Sequence, residues 1–363
     1  MDAVFFRHGA RLPTVAPVRV VREVRHNERV SEPIDEFSFL PDQASEAGVD
    51  RPVPRGERLS LRLPDGRTLS ALRYTPAGAP DDAPVVTFLH GAGLNAHTWD
   101  TTILGLGLPA LAIDLPGHGD SSWRDDAAYV GRVMAPDIAA GMEAWTQAPQ
   151  VLVGQSLGGL TAAAVAASRP ELVRELVVID ITPGLDSNAG PSQIRDFFAG
   201  PVDWASRDEL VDRALAFGLG GGTRRRAERG VFFNSRIRPD GRVEWKHHFA
   251  RLANAMADAG ADAPTEAPAS SDAVASVLGE AGWEDLAAVT APTTLIRGER
   301  GYVTDDDAEE FARRVPGASI VAVPAGHNVQ EEIPLELGER LRTVATTPGR
   351  PRPASADPRG SAS

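Results

Sequence analysis

The sequence predicts an α/β protein: a mostly parallel sheet with helices on both faces, carrying a mainly helical cap insertion. Short apolar runs recur along the chain at Val85–Leu89, Ala110–Ile113, Val151–Val153, Leu176–Ile179, Thr294–Ile296 and Ser319–Val323. Helical segments separate most of them, and strand–helix–strand repetition builds a parallel sheet covered on both faces. One interval, about 110 residues from Asp180 to Thr293, is too long for a simple crossover and reads as the insertion.

Taken in order, residues 1–55 are rich in Pro, Arg, Glu and Asp and show little periodicity beyond Val18–Val24, so a disordered N-terminal extension is expected there. A start codon assigned too far upstream would look the same. Leu59–Leu63 and Thr68–Tyr74 alternate around Pro64-Asp65-Gly66, the pattern of a β-hairpin. The apolar strands follow, and Gly158–Ser168, rich in small residues, is helical. Inside the long interval, Ser206 and Glu209 make a capping box ahead of Leu210, Val211, Ala214, Leu215 and Phe217, a helix ending at Gly218. Arg236–Lys246 reads as a hairpin turning at Pro239-Asp240-Gly241, and Ala257–Asp272 as an Ala/Asp/Pro loop. The core is thus expected over residues 56–182 and 291–345, the cap over 183–290, and a disordered tail over 346–363.

Composition narrows the function classes. The chain of 363 residues is 42% hydrophobic and 24% charged, an ordinary globular balance. Its 37 basic and 50 acidic residues leave a net charge of −13, which disfavours nucleic acid or an anionic membrane as partner. Lys246 is the sole lysine, a bias read as genomic composition. With no cysteine, disulfides, thiolate metal sites and thiol catalysis are excluded. No apolar run reaches the ~20 residues of a membrane span. The first 25 residues hold five arginines against two acids, a faint transit-peptide pattern, but lack a secretory one. A cytoplasmic protein is the expectation; the oligomeric state is not written in the sequence.

The chemistry concentrates at Gly154-Gln-Ser-Leu-Gly158. This G-x-S-x-G run joins an apolar strand to a helix, which holds Ser156 exposed on a strained turn while the glycines let strand and helix approach. The helix start points free N–H groups at whatever collects beside the serine. Serine needs a base to become a nucleophile. His327, in Pro324-Ala-Gly-His-Asn328 just after the last strand, lies at the same carboxyl edge of the sheet. His90-Gly-Ala-Gly93, after Val85–Leu89, offers the Ala92 N–H, with that of Leu157, to hold an oxyanion; His90 and Gly91 support that loop.

Together, His90-Gly-Ala-Gly93, Asp114-Leu-Pro-Gly-His-Gly-Asp-Ser121, Gly154-Gln-Ser-Leu-Gly-Gly159 and Gly326-His327 resemble the α/β-hydrolase superfamily, most closely its single-domain serine hydrolases with a helical cap, over roughly residues 57–343. The resemblance implies an eight-stranded sheet, a Ser-acid-His triad in that chain order, and no cofactor. It places the acid after the strand ending near Arg297, but there the chain reads Gly298-Glu-Arg-Gly-Tyr-Val-Thr304, with Tyr302 where aspartate is expected. Some members carry the acid one strand earlier, which here is Asp180 in Val177-Val-Ile-Asp-Ile-Thr-Pro183; an aspartate closing an apolar strand needs a partner such as histidine. Asp305 is the alternative acid, its ordinary role being the N-cap of a helix over Asp306–Val315.

The expected reaction is hydrolysis of a small-molecule carboxylic ester or related acyl bond through Ser156, His327 and Asp180. Carbon–carbon hydrolysis of diketones, lactone or amide hydrolysis and perhydrolysis use the same triad and stay open. Epoxide hydrolysis and dehalogenation do not, because Ser156 takes the place of their aspartate nucleophile. A non-catalytic ligand receptor on the same fold is the alternative of another class. Gly91-Ala-Gly93-Leu-Asn-Ala96 with Asp114 imitates a dinucleotide fingerprint of an NAD-binding oxidoreductase. Arg7-His-Gly-Ala-Arg-Leu-Pro13 imitates the phosphate site of histidine acid phosphatases, but no His-Asp or His-Glu pair accompanies it. His247-His248 does not share a helix face and completes no metal site. Arg224-Arg-Arg226 reads as a solvated helix face, and Trp99, Phe197, Phe198, Phe217, Phe232, Phe233 and Trp245 as core or cap packing.

Overall fold

Eight strands share one sheet in the computed structural model, which describes residues 34–79, 83–185, 201–216, 223–252 and 281–347. The chain divides after Asp35, and every element below lies in the unit Glu36–Ser363. The strands are β1 (Arg55–Arg62), β2 (Thr68–Thr75), β3 (Val86–Leu89), β4 (Ala110–Asp114), β5 (Gln150–Gln155) and β6 (Val173–Ile179), followed after the insertion by β10 (Thr293–Arg300) and β11 (Ser319–Gly326). Their order is β1-β2-β4-β3-β5-β6-β10-β11, antiparallel only at β1–β2 and β2–β4.

The sheet separates two apolar cores. On β5, Leu152 faces one side while Val151 and Val153 face the other; on β6, Leu176 and Val178 oppose Val177 and Ile179. Burial of both faces is why these strands read as continuous apolar runs. The helices outside the insertion are α1 (Leu40–Ala47), α2 (Asp100–Leu106), α3 (Gly131–Trp145), α4 (Leu157–Ser168) and, numbered on past two insertion helices, α7 (Ala281–Ala288), α8 (Asp305–Arg314), α9 (Val329–Glu332) and α10 (Pro334–Thr346). Helices α3, α4, α7 and α8 cover the first face, through Met134, Ile138, Val165, Trp283 and Phe311. Helices α2 and α10 cover the second, through Ile103, Leu106, Leu337 and Leu341.

Between β6 and β10 the described residues form α5 (Arg207–Ala216), α6 (Arg224–Asn234) and a small sheet of β7 (Asp203–Trp204), β8 (Ser235–Ile237) and β9 (Val243–Trp245). They enclose their own cluster around Trp204, Leu210, Val231 and Trp245. The hairpin expected at Arg236–Lys246 is present as β8–β9, and β7 adds a third strand. This layer meets the loops that leave the carboxyl ends of β3 and β4. Phe233 stacks on His97 with ring centroids 3.7 Å apart. The Trp123 Nε1–H donates to the Lys246 carbonyl at 2.6 Å, and the His248 N–H to the Gly117 carbonyl at 2.8 Å.

Two expectations need correction. Residues 1–55 are not unstructured throughout: a 3-10 turn at Glu36–Phe39 runs into α1. Leu40 is 1% exposed, and Phe37 packs edge-on against Tyr74 at 5.9 Å. This short apolar group, Phe37, Phe39 and Leu40, buries too little to stand alone and gains its stability from the core, which is why periodicity did not reveal it. Second, the cap of α8 is Thr304, which accepts from Asp307 N while Asp307 Oδ2 accepts from Thr304 N; Asp305 is the first residue of the helix, not its cap. The expected features at Arg7–Pro13, Phe197–Phe198, Phe217–Gly218 and Ala257–Asp272, and the tail from 348, lie outside the described residues. Among the described residues no helix is long and apolar enough to cross a membrane.

Candidate active site

Ser156 occupies the turn between β5 and α4 with φ +53° and ψ −122°, a backbone that side-chain-bearing residues rarely adopt. The surrounding glycines are required by contact. A Cβ at Gly154 would lie 2.2 Å from the Gly158 carbonyl oxygen, and one at Gly158 would lie 2.4 Å from the Leu89 carbonyl oxygen. Strand, turn and helix therefore meet main chain to main chain, and the first turn of α4 is pressed against the end of β3. Leu157, at the start of α4, brings its N–H to that end of the helix.

Asp180 follows β6, the neighbour of β5, and is fully buried. It too has positive φ, +48°, and such strained residues cluster where function over-determines the backbone. Its carboxylate accepts three N–H groups: Gly298 N to Oδ1 at 2.9 Å, Tyr302 N to Oδ2 at 2.7 Å, and His327 Nδ1 to Oδ2 at 2.8 Å. The bond from His327 fixes the proton on Nδ1 and leaves Nε2 as the ring's acceptor. Ser156 is tied into the same place on both sides. Its N–H donates to the carbonyl of Ile179, the residue before Asp180, at 3.0 Å. Gln155, the residue before Ser156, donates through Nε2 to the His327 carbonyl at 3.1 Å.

Asp305 is elsewhere: its side chain is 85% exposed and pairs with Arg297. Tyr302 sits beside His327 and Asp180. Its ring stacks on His327, centroids 3.8 Å apart and planes 16° apart, while its main-chain N–H binds Asp180. Burial, with Asp180 adding to it, pushes the Tyr302 phenol above its usual range. A Cβ at Gly301 would fall 2.2 Å from Asp180 Oδ1, so the turn must pass the carboxylate as bare backbone there.

The loop from His90 to Gly93 passes over the serine; a Cβ at Gly91 would lie 3.3 Å from Ser156 Cβ. His90 is buried and braces it. Nε2 accepts the Leu115 N–H at 3.0 Å, which leaves the proton on Nδ1 to donate to the Gly91 carbonyl at 2.8 Å. Burial keeps His90 below its normal pKa, hence neutral, as these two bonds require. Because N–H and C=O of a trans peptide point apart, anchoring the Gly91 carbonyl on His90 turns the Ala92 N–H the opposite way. His118 holds the next residue, with Nε2 accepting the Gly93 N–H at 3.1 Å.

Asp114, which imitated a ribose-binding acid, is fully engaged within the protein. It accepts from Ala96 N at 2.8 Å, Asp120 N at 3.1 Å and Arg58 Nη1 at 3.0 Å. The glycine run leads first into a 3-10 turn at Ala96–Trp99, and α2 begins only at Asp100. His247 and His248 are packing residues: His248 stacks on Trp123 at 4.5 Å and bonds Tyr129 Oη, and no group of three metal-ligating side chains occurs among the described residues. The sequence reading missed Gln155, His118, Asn234 and the turn amides of Gly298 and Tyr302. Gln155 was legible as the residue beside Ser156; the others act through backbone groups, which leave no trace in residue type.

Residues 88–339 match the sequence model of the Alpha/beta hydrolase family. The chain is 37% identical over 323 residues to the esterase Rv0045c of Mycobacterium tuberculosis, covering 86% of this chain and 97% of that protein. It is 27% identical over 280 residues to the mouse sn-1-specific diacylglycerol lipase ABHD11, covering 73% and 82%. A solved structure of the Mycobacterium tuberculosis esterase superposes with a TM-score of 0.70 at 35% identity, over 86% of this chain and 99% of that one.

Proposed function

Since the chain belongs to the alpha/beta hydrolase family and is a carboxylesterase-like hydrolase, we propose that it cleaves small-molecule carboxylic esters through a Ser156–His327–Asp180 triad and an acyl-enzyme. The observation that carries this reading is the 2.8 Å bond from His327 Nδ1 to the buried Asp180 carboxylate, one strand from a serine held at positive φ.

In this mechanism Ser156 Oγ attacks the ester carbonyl carbon while His327 Nε2 takes its proton. The carbonyl oxygen becomes an oxyanion facing the Ala92 and Leu157 N–H groups, which cost no reorganisation because the loop and helix already hold them. Asp180 keeps the ring in the required tautomer and stabilises the imidazolium, without itself being protonated. Collapse expels the alkoxide, which leaves as the alcohol with the proton from His327. Water then gives a proton to His327 and attacks the acyl carbon; the second tetrahedral adduct collapses, Ser156 recovers its proton, and the carboxylic acid departs. No step calls for a cofactor. Residues 201–216 and 223–252, set against the loops beyond β3 and β4, act as part of a cap that selects the substrate.

The test is a panel of p-nitrophenyl esters, acylglycerols, lactones and diketones, assayed with wild type and Ser156→Ala, together with labelling by a fluorophosphonate. Ester turnover that is lost with Ser156, and label on Ser156 alone, is the expected result. Turnover of diketones but not esters would reassign the bond cleaved, and absence of both label and turnover would favour a ligand receptor.

A further inference from the structure

Asn234, the last residue of α6, reaches out of the cap layer to the loop above Ser156. Its Nδ2 donates to the Gly93 carbonyl at 2.6 Å, and its own carbonyl is anchored by the Lys246 N–H at 2.8 Å. The peptide unit that receives this bond, Gly93–Leu94, directs its N–H the other way, where it meets the Gly91 carbonyl at 3.2 Å. The next unit, Gly91–Ala92, repeats the arrangement: its carbonyl receives Leu94 N and His90 Nδ1, and its N–H, that of Ala92, faces away from both. Two peptide units therefore stand head to tail between a cap side chain and the Ala92 N–H. Hydrogen bonds in such a series polarise one another and hold one another's direction.

We propose that Asn234 is a positioning residue that orients and polarises the Ala92 N–H through this relay, so that the oxyanion site is complete only when the cap layer is docked. The proposal deepens the function argued above and rests on its reading of Ala92 as an oxyanion donor. If Asn234 merely fastened the cap, its loss would resemble the loss of other cap contacts, such as the Phe233–His97 stack, and would act on substrate binding or stability. A relay to the oxyanion acts on the transition state instead.

The experiment compares wild type with Asn234→Ala and Asn234→Asp in the full chain. Asp is nearly isosteric but sets an acceptor against the Gly93 carbonyl. It reads kcat and KM on a p-nitrophenyl ester, inhibition by an alkyl trifluoromethyl ketone, whose adduct with the serine carries an oxyanion, and the thermal midpoint. The expected result is a fall in kcat of about tenfold for Ala and more for Asp, KM within about twofold, and ketone affinity weakened by the same factor as kcat/KM. Unchanged kcat in both variants, or a loss carried by KM with ketone affinity intact, overturns the proposal. Should the Ala variant unfold, the Asp variant decides alone. Ala92→Pro, which deletes the N–H, separates the underlying reading: if a folded Ala92→Pro enzyme keeps wild-type ketone affinity, Ala92 is not the donor, whatever Asn234 does.

Discussion

The Tyr302 ring lies flat on the His327 imidazole, 3.8 Å between centroids, while the Tyr302 main-chain N–H holds the carboxylate that His327 binds. One residue thus supports both partners of the candidate triad, one by its ring face and the other by its backbone. The backbone bond survives any substitution but proline, whereas the stack needs an aromatic ring. Tyr302→Phe is expected to keep kcat within about twofold, and Tyr302→Ala to lower it by roughly three- to tenfold through a less restrained imidazole. Equal loss in both variants would point to the phenol instead of the stack.

Burial and partners favour Asp180 over Asp305 as the proposed acid. Asp180 is fully buried with three N–H donors, and Asp305 is exposed and paired with Arg297. Asp180→Asn should lower kcat by about 10⁴, as expected when the imidazole loses its orienting carboxylate, with little change in fold. Asp305→Asn should stay within about twofold, since an exposed ion pair contributes little. If the two variants trade places, the triad is wrong.

How much of this was legible in the sequence follows from what each residue does. The strands around the site were readable because burial on both faces leaves continuous apolar runs, as at Val151–Val153. Ser156, His327 and the Gly91 loop were readable because a strained turn and a close approach demand particular residue types. Asp180 stood out as a carboxylate ending an apolar strand and was preferred to Asp305 on that ground, while the difference in burial between the two is a property of the folded sheet. Helix α1 was missed because it depends on long-range partners: Arg225 and Arg229 of α6 pair with Asp42 and Glu46, and Phe39 meets Phe232 at 5.2 Å. Asn234 was invisible for a related reason, since its partner is a backbone carbonyl 141 positions away.

The turn past Asp180 allows a steric test. A methyl at Gly301 would sit 2.2 Å and 2.4 Å from the two carboxylate oxygens, which three N–H groups hold in place. Either the carboxylate shifts off His327 or the turn moves away, and both disturb the Asp180–His327 bond. Gly301→Ala should therefore lower kcat at least tenfold and destabilise the fold by roughly 1–3 kcal/mol, the usual range for overpacking. Wild-type kcat in a folded Gly301→Ala enzyme would mean that Asp180 can move freely without consequence, against its assigned role.

The last expectation concerns pH and the contact between core and cap. His97 is buried between two carboxylates, Nδ1 3.1 Å from Asp100 Oδ2 and Nε2 3.1 Å from Glu36 Oε2, with Phe233 of α6 stacked on its face. Burial alone would lower this imidazole, but Asp100 and Glu36 outweigh it and hold the pKa up at about 9. Glu36 is raised by burial and drawn down further by His97 and Arg58, to about 2. His97 therefore titrates higher in the folded chain than in the unfolded one, where its value is near 6.5. Its stabilisation, on the order of 3 kcal/mol, is complete below that lower value and is lost as pH rises through about 9. Glu36 has the opposite sign: its contribution is present above the usual carboxylate range and fades only as pH falls toward 2. The thermal midpoint of the wild type should thus decline from about pH 6.5 to about pH 10, with His97→Gln starting lower and changing less over the same interval. Because Phe233 belongs to the cap layer, the alkaline loss should also raise proteolytic cleavage within residues 201–252 in wild type more than in the variant. A flat wild-type midpoint, or an identical slope in His97→Gln, would show that this imidazole is not held charged.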